Sequence, residues 1–341
     1  MSLVKLEQLI KNTDLANYTR HSRVHKLKSY SNRDCHCFVK REDELSFGVS
    51  GSKLRKYLSL IPSLIQKSFD EVILLGSAYS NHILGCSQIL REHGIKPIFF
   101  LLGNKPNQNI GNALFSRLFV DSQDIFYFPK KTPEEIENFA QGYIAKKKAA
   151  GIKVGFVPIG GSCKEALVGC LTLALDLLRN ESELGFAFDH LIIDAGTGWT
   201  AACLVQALNF LNKNTYIHII LVAGKKEEFS RVLEEVKKEM EHLFQFSLPS
   251  PTRFFLYQPH NAKSFGGINA HVFRTIVTLA QQEGFLTDPI YTAKLFDEGK
   301  ALIEKDRLKG NILFIHSGGA FSLAGFQDEL ARWTKMSPPS I

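Results

Sequence analysis

The chain has 341 residues, enough at roughly 150 residues per domain for two domains or one large one with a substantial buried core. With 45% hydrophobic and 22% charged residues it is neither a disordered or low-complexity polymer nor a small disulfide scaffold, and 41 Lys and Arg against 34 Asp and Glu leave a net charge of +7 that suits an anionic partner without choosing among phosphate, carboxylate and nucleic acid. Six cysteines show no secreted-framework density, the first ten residues lack a long apolar stretch, and the longest apolar runs fall far short of the ~20 residues of a membrane span, so the reading is a cytoplasmic chain with free thiols and no membrane segment.

In chain order, Cys35-His36-Cys37 comes first; alternate side chains of a β-like run leave on opposite faces and no second ligand pair follows, so it is structural and no metal is expected. Ser50-Gly-Ser-Lys53-Leu-Arg-Lys56 heads a predicted helix. It is not a Walker loop, because Ser52 separates Gly51 from Lys53 and Leu54 replaces the metal-binding hydroxyl. A lysine among small residues at a helix start can instead be a Schiff-base amine, although taken alone a solvated lysine is the ordinary reading.

A strand over 72–76 leads into Gly76-Ser-Ala-Tyr-Ser80-Asn81-His82, then a helix over 81–93 closed by Gly94, a strand over 96–102 and a turn over 103–108. Ser80 and His82 do not make a hydrolase triad, since the G-x-S-x-G elbow is absent, and Ser80 or Asn81 suits a helix N-cap. Residues 132–150, with Pro133 and two glutamates in the first turn, form a surface helix that marks a seam. Strands follow over 154–157, 191–194, 216–222, 253–257 and 311–316, with a helix from about 200 to 211, the alternation of a parallel α/β fold. The basic pairs and the triplet Lys146-Lys147-Lys148 are scattered, so no nucleic-acid footprint is expected.

The sharpest local feature is Gly196-Thr-Gly-Trp-Thr200, directly after the strand ending at Asp194 and opening a helix. Backbone N–H groups converge there and the helix dipole adds positive potential, so it reads as a phosphate cradle. It also matches G-x-G-x-x-A formally, but the acidic residue due at the next strand end is replaced by Val222-Ala-Gly-Lys-Lys226; an NADP variant and a plain glycine turn remain the alternatives. Asp288-Pro-Ile-Tyr291-Thr292 and His316-Ser317-Gly-Gly319 add a helix entry and a small-residue turn.

Together these motifs resemble, in order and from about residue 39 to 326, the D-cysteine desulfhydrase and 1-aminocyclopropane-1-carboxylate deaminase family, pyridoxal-phosphate enzymes of the tryptophan synthase β-subunit fold. Val39-Lys-Arg-Glu-Asp43 with Gly51-Ser-Lys53-Leu-Arg-Lys56 is similar to K-R-E-D and G-G-N-K-x-R-K, Tyr79-Ser80-Asn81-His82 to Q-S-N-H, and Asp288-Pro-Ile-Tyr291-Thr-Ala-Lys294 to D-P-V-Y-T-G-K.

The resemblance implies a two-domain α/β fold of open, mostly parallel sheets covered by helices, with a small domain over 55–160 and a large one over 1–54 and 161–341. It implies pyridoxal 5'-phosphate as cofactor: Lys53 is the Schiff-base lysine and α-proton base, and Ala195, Gly196, Thr197, Gly198, Trp199 and Thr200 hold the phosphate. Asn81 bonds the phenol oxygen and Ser317 faces the ring nitrogen as a neutral hydroxyl, while Ser80 grips the substrate carboxylate or assists proton transfer and Tyr291 acts as a second acid/base or nucleophile. The implied activity is α,β-elimination on a small amino acid, D-cysteine above all, by a homodimer.

Three departures bear on substrate. Thr292 stands where the cyclopropane deaminases carry a glutamate facing the ring nitrogen; Phe265 replaces a second tyrosine; Tyr79 replaces a glutamine. A 1-aminocyclopropane-1-carboxylate deaminase and a non-catalytic pyridoxal-phosphate-binding protein are the alternatives.

Overall fold

The computed structural model describes residues 2–10, 18–264 and 266–334. Its strands are β1 (Val24–Lys26), β2 (Cys35–Lys40), β3 (Glu71–Ser77), β4 (Lys96–Leu102), β5 (Ile125–Phe128), β6 (Val154–Val157), β7 (His190–Ala195), β8 (Tyr216–Leu221), β9 (Phe254–Tyr257) and β10 (Gly310–Ile315). They form a sheet of order β1-β2-β10-β7-β8-β9 and another of order β5-β4-β3-β6. Every described pairing is parallel except β1 with β2. The smaller sheet lies in sequence between β2 and β7 of the larger.

The α-helices in chain order are α1 (Ser2–Ile10), α2 (Lys53–Gln66), α3 (Asn81–Glu92), α4 (Asn112–Arg117), α5 (Pro133–Ala149), α6 (Leu167–Leu184), α7 (Trp199–Phe210), α8 (Lys226–Phe244), α9 (Ala270–Glu283), α10 (Thr292–Lys305) and α11 (Gln327–Thr334). Parallel strands need crossovers, and crossover helices cover both faces, so β3 and β4 read as near-continuous apolar runs rather than alternating ones. Period-2 geometry still sorts them: Val72, Leu74, Phe99 and Leu101 pack on α2 and α3, while Ile73, Leu75, Ile98 and Phe100 pack on α5. In the larger sheet Leu191, Ile193 and Ile315 face α6 and α7, whereas Ile192 and Phe314 face Leu295 and Phe296 of α10.

Local chemistry sets the helix starts. Thr132 and Glu135 form a reciprocal capping box behind Pro133, as the 132–150 pattern predicts. Asp288 does more, accepting from the amides of Ile290, Tyr291 and Thr292 at 3.0, 3.0 and 2.8 Å and from the Thr292 hydroxyl at 2.7 Å, which fixes the entry to α10.

A buried ionic network anchors α2. Arg55 donates to Glu42 and Asp176, and Lys40 donates to Asp176 and Asn180, so Lys40, Glu42 and Arg55 meet α6 outside the lining of the site.

Candidate active site

Parallel sheets leave a crevice at the carboxyl ends of their strands, and both sheets open into the same one. The cavity there has a volume of about 860 Å³, well suited to a cofactor and a small substrate. Its wall includes the first residues of α2, α3 and α7 and the residue that precedes α10. Helix starts present unpaired N–H groups and the positive end of the macrodipole, so the cavity attracts anions before any side chain is counted.

All of the residues given a catalytic or cofactor-binding role from the sequence line this cavity: Lys53, Ser80, Asn81, Tyr291, Ser317 and the whole run from Ala195 to Thr200. Lys53 opens α2. Burial pushes its ammonium down from the ordinary lysine value, with the Asp194 and Asp288 carboxylates pulling the other way. Its Nζ lies 5.6 Å from the centre of the Tyr291 ring. The Gly51 amide plane brings α2 against the last turn: Ser52 N–H donates to the Ser317 carbonyl at 2.9 Å, and a Cβ on Gly51 would stand 2.4 Å from that same oxygen.

Ser80 caps α3 by accepting from the amides of His82 at 3.1 Å and Ile83 at 3.4 Å, which leaves its own proton to give. Asn81 is oriented by a residue the sequence reading passed over: Asn112 Nδ2 donates to Asn81 Oδ1 at 2.6 Å and also to the Tyr79 carbonyl at 3.2 Å. With its oxygen occupied, Asn81 turns its amide nitrogen toward Gly319 at the site. His82 hydrogen-bonds Tyr57 at 3.0 Å, and burial together with Lys56 and Lys53 holds it neutral. No described hydrogen bond joins its imidazole ring to Ser80, in keeping with the absent elbow.

Gly198, at φ +86°, begins α7 in a conformation that favours glycine, and a Cβ there would meet Phe229 at 3.0 Å. Thr197 Oγ1 pairs with Ser162 Oγ at 2.7 Å, and Ser162 receives Lys56 Nζ at 3.1 Å. Burial pushes Lys56 down to about 8, so a second cation stands behind the loop. Burial, then the carboxylates of Asp288 and Asp194, raise the Tyr291 phenol far above its usual range, and it keeps its proton at neutral pH.

Asp194 also escaped the sequence reading, where it served only as a strand end. It lines the cavity, its Oδ1 is buried without a hydrogen-bond partner among the described residues, and burial lifts its carboxyl to about 6. Thr292 is fully buried and commits its hydroxyl to Asp288, so it does not face the cavity as an acid. Tyr79 stands half exposed at the rim, and Phe265 lies outside the described residues.

A flat phosphorylated aldehyde needs a buried amine of lowered basicity, a cradle of amides for a dianion, a donor for a phenolate and a partner for a ring nitrogen. Lys53, the start of α7, Asn81 and Ser317 bring groups of these kinds to the lining of one cavity, and the unsatisfied Asp194 oxygen and Trp199 indole N–H mark polar capacity that the protein itself leaves unfilled.

Comparison with known proteins agrees. The family profile described as pyridoxal-phosphate dependent enzyme matches residues 7–318. The chain is 25% identical over 334 residues to a D-cysteine desulfhydrase of Serratia proteamaculans, covering 96% of this chain and 98% of the relative. It is 27% identical over 293 residues to a protein of Pyrococcus horikoshii provisionally named a 1-aminocyclopropane-1-carboxylate deaminase, covering 86% and 87%. A crystal structure of an ACC deaminase homologue superimposes with a TM-score of 0.84 at 25% identity, over 96% of this chain and 98% of that one. The two-sheet α/β fold expected from the motifs is the fold of these relatives.

Proposed function

Because the chain belongs to the pyridoxal-phosphate-dependent enzymes, we propose that it catalyses α,β-elimination on a small amino acid, D-cysteine first, giving pyruvate, ammonia and sulfide. The observation that carries this reading is the buried Lys53 amine facing the glycine loop and start of α7 across one cavity. In this reading the amides of residues 195–200 hold the phosphate, Asn81 the phenol oxygen and Ser317 the ring nitrogen. Bound, the cofactor supplies an electron-accepting ring for the pair released at the substrate α-carbon.

The chain's own residues do the rest. Lys53, whose basicity burial lowers, takes the α-proton. The Ser80 hydroxyl, whose lone pairs are spent on the α3 amides, donates to the substrate carboxylate. Tyr291 retains its phenolic proton and offers it to the departing sulfur, since burial and two carboxylates oppose its ionisation. The helix starts around the cavity favour both anionic groups over water. The small domain over 55–160 closes against the large one, and the enzyme works as a cytoplasmic homodimer; the described cysteines are all free, which suits a reducing compartment.

The test pairs spectroscopy with turnover. Purified protein loaded with pyridoxal phosphate gains the near-ultraviolet to visible absorption of a lysine-bound cofactor, Lys53→Ala loses it, and a panel of D- and L-amino acids yields pyruvate and sulfide from D-cysteine. The name of the Pyrococcus relative favours a second reading, cyclopropane opening, and α-ketobutyrate from 1-aminocyclopropane-1-carboxylate without activity on D-cysteine would establish it. A retained band with no turnover of any panel member would instead identify a non-catalytic cofactor-binding protein.

A further inference from the structure

A second polar cluster, drawn from three elements, lies outside the cavity lining. His260 follows β9, His271 lies on α9, and Asp297 and Glu298 are neighbours on α10. His260 stands between the two carboxylates, with its Nδ1 2.6 Å from Glu298 Oε1 and its Nε2 3.8 Å from Asp297 Oδ2. Its backbone N–H also donates to Glu298, Asn261 Nδ2 donates to Asp297 Oδ2 at 3.1 Å, and His271 Nε2 lies 2.6 Å from Asp297 Oδ1. The His260 imidazole and the two carboxylates each offer a ligand atom, and those three atoms lie within 4.8 Å of one another.

Charge and spacing both call for a cation here. Glu298 is only 6% exposed, and a carboxylate so buried needs a compensating charge. Yet no lysine or arginine among the described residues pairs with Asp297 or Glu298; their described ion pairs are all to histidines. Lys294, one turn earlier on α10, spends its ammonium on the carbonyls of Ala262 and Ser264 instead, at 2.9 and 3.3 Å. Metal–ligand bonds of about 2.0–2.2 Å set ligand atoms roughly 3–4 Å apart, a range that the 2.6 and 3.8 Å separations bracket within a small side-chain adjustment. We propose that His260, Asp297 and Glu298 form a binding site for a divalent transition ion of the zinc class, with His271 as the positioning residue that holds Asp297. The two carboxylates balance the ion's charge, the imidazole nitrogen favours it over magnesium and calcium, and water completes its shell.

The ion ties the segment between β9 and α9 to α10. That segment contributes Gly266 and Ile268 to the cavity wall, and the residue before α10 is Tyr291, so the site braces one flank of the active-site cavity from behind. Its existence does not depend on which ligand the cavity takes. No motif spacing in the sequence announces it, because the ligands converge only in the fold.

The test uses untagged, full-length protein loaded with pyridoxal phosphate, freed of metal by dialysis against a chelator, then titrated with Co²⁺ as a visible probe and with Zn²⁺ in a calorimeter. The expected result is one equivalent of Co²⁺ with weak d–d absorption and no sulfur-to-metal charge transfer, displaced by Zn²⁺ and not by excess Mg²⁺. His260→Ala and Asp297→Asn weaken binding by more than about ten-fold. His271→Ala weakens it by about ten-fold, while His271→Gln, which still donates to Asp297, restores it. Zn²⁺ raises the thermal midpoint of the wild type and not that of His260→Ala. Asp297→Asn keeps the shape of the side chain and carries the test should His260→Ala fail to fold. Absence of saturable Co²⁺ binding, equal affinity in the wild type and the variants, or a thiolate charge-transfer spectrum overturns the proposal.

Discussion

Gly51→Ala separates the geometry of the site from its chemistry. Gly51 has φ +54°, where an L side chain costs about 1–2 kcal/mol. The added Cβ would stand 2.4 Å from the Ser317 carbonyl oxygen and 3.2 Å from the Gly318 Cα, both backbone atoms with no rotamer to yield. Relief requires the start of α2 and the β10 turn to part, an overpacking cost of about 1–3 kcal/mol, and the 2.9 Å bond from Ser52 N–H to that carbonyl, worth about 1 kcal/mol, goes with it. The total, about 3–6 kcal/mol, is a large share of the 5–15 kcal/mol by which a typical domain is stable.

Gly94→Ala is the control. Gly94 has φ +71° and nothing within 4 Å of its Cβ position, so it shows the conformational cost alone. Urea unfolding of the cofactor-free proteins should give Gly51→Ala a loss at least about 2 kcal/mol greater than Gly94→Ala. Equal losses would mean that α2 and the Ser317 turn are not held against each other, and the route by which Lys53 and Ser317 share one frame would be wrong.

Asn112→Ala should weaken cofactor binding on the order of ten-fold, the loss of about one hydrogen bond's worth of orientation at Asn81, read by titrating absorbance with pyridoxal phosphate. Arg55→Met leaves Lys40 as the one lysine or arginine against Glu42 and Asp176 among the described residues and should cost about 3–5 kcal/mol in denaturant unfolding. Burial raises the Asp176 carboxyl, but Arg55 and Lys40 outweigh it and hold it at about 2 against an ordinary 3.8. A depressed carboxyl stabilises the fold above its unfolded value and loses that contribution as pH falls through the folded one, so about 2 kcal/mol should disappear between about pH 4 and pH 2, and Asp176→Asn should flatten that part of the curve.

What the sequence revealed depended on whether a residue announced its surroundings. The 96–102 and 154–157 strands match β4 and β6 because apolar runs bounded by Gly, Asn and Lys leave little choice of register or length. β5 escaped notice because all four of its residues are only partly buried, and an edge strand of mixed aromatics carries no alternation. α6 has an apolar face too broad for a clean period, since it packs on α2, α7 and α1 at once.

At the site, Lys53, Ser80 and Gly196 are legible because their spacing to helix starts has a local meaning. Asn112 and Asp194 are not. Asn112 acts on Asn81, 31 positions away, through a contact that only the folded chain creates, and Asp194 joins a cavity whose other walls come from distant segments.

The buried charges also explain why so basic a chain can keep a weakly basic lysine. Lys40, Arg55, Glu42 and Asp176 pair two cations with two anions beneath α2, so the network fixes the helix without imposing a net field on its first residue. Lys53 is then governed by what it faces: desolvation against the two carboxylates Asp194 and Asp288. Asp288 meets four hydrogen-bond donors of its own and is largely satisfied by the α10 cap, whereas Asp194 Oδ1 has no hydrogen-bond partner among the described residues. The less constrained carboxylate of the site is therefore Asp194, whereas substitutions at Asp288 should first loosen α10 and Tyr291. The net charge of +7 plays no part in this; the cation that matters is the one whose charge the fold works to suppress.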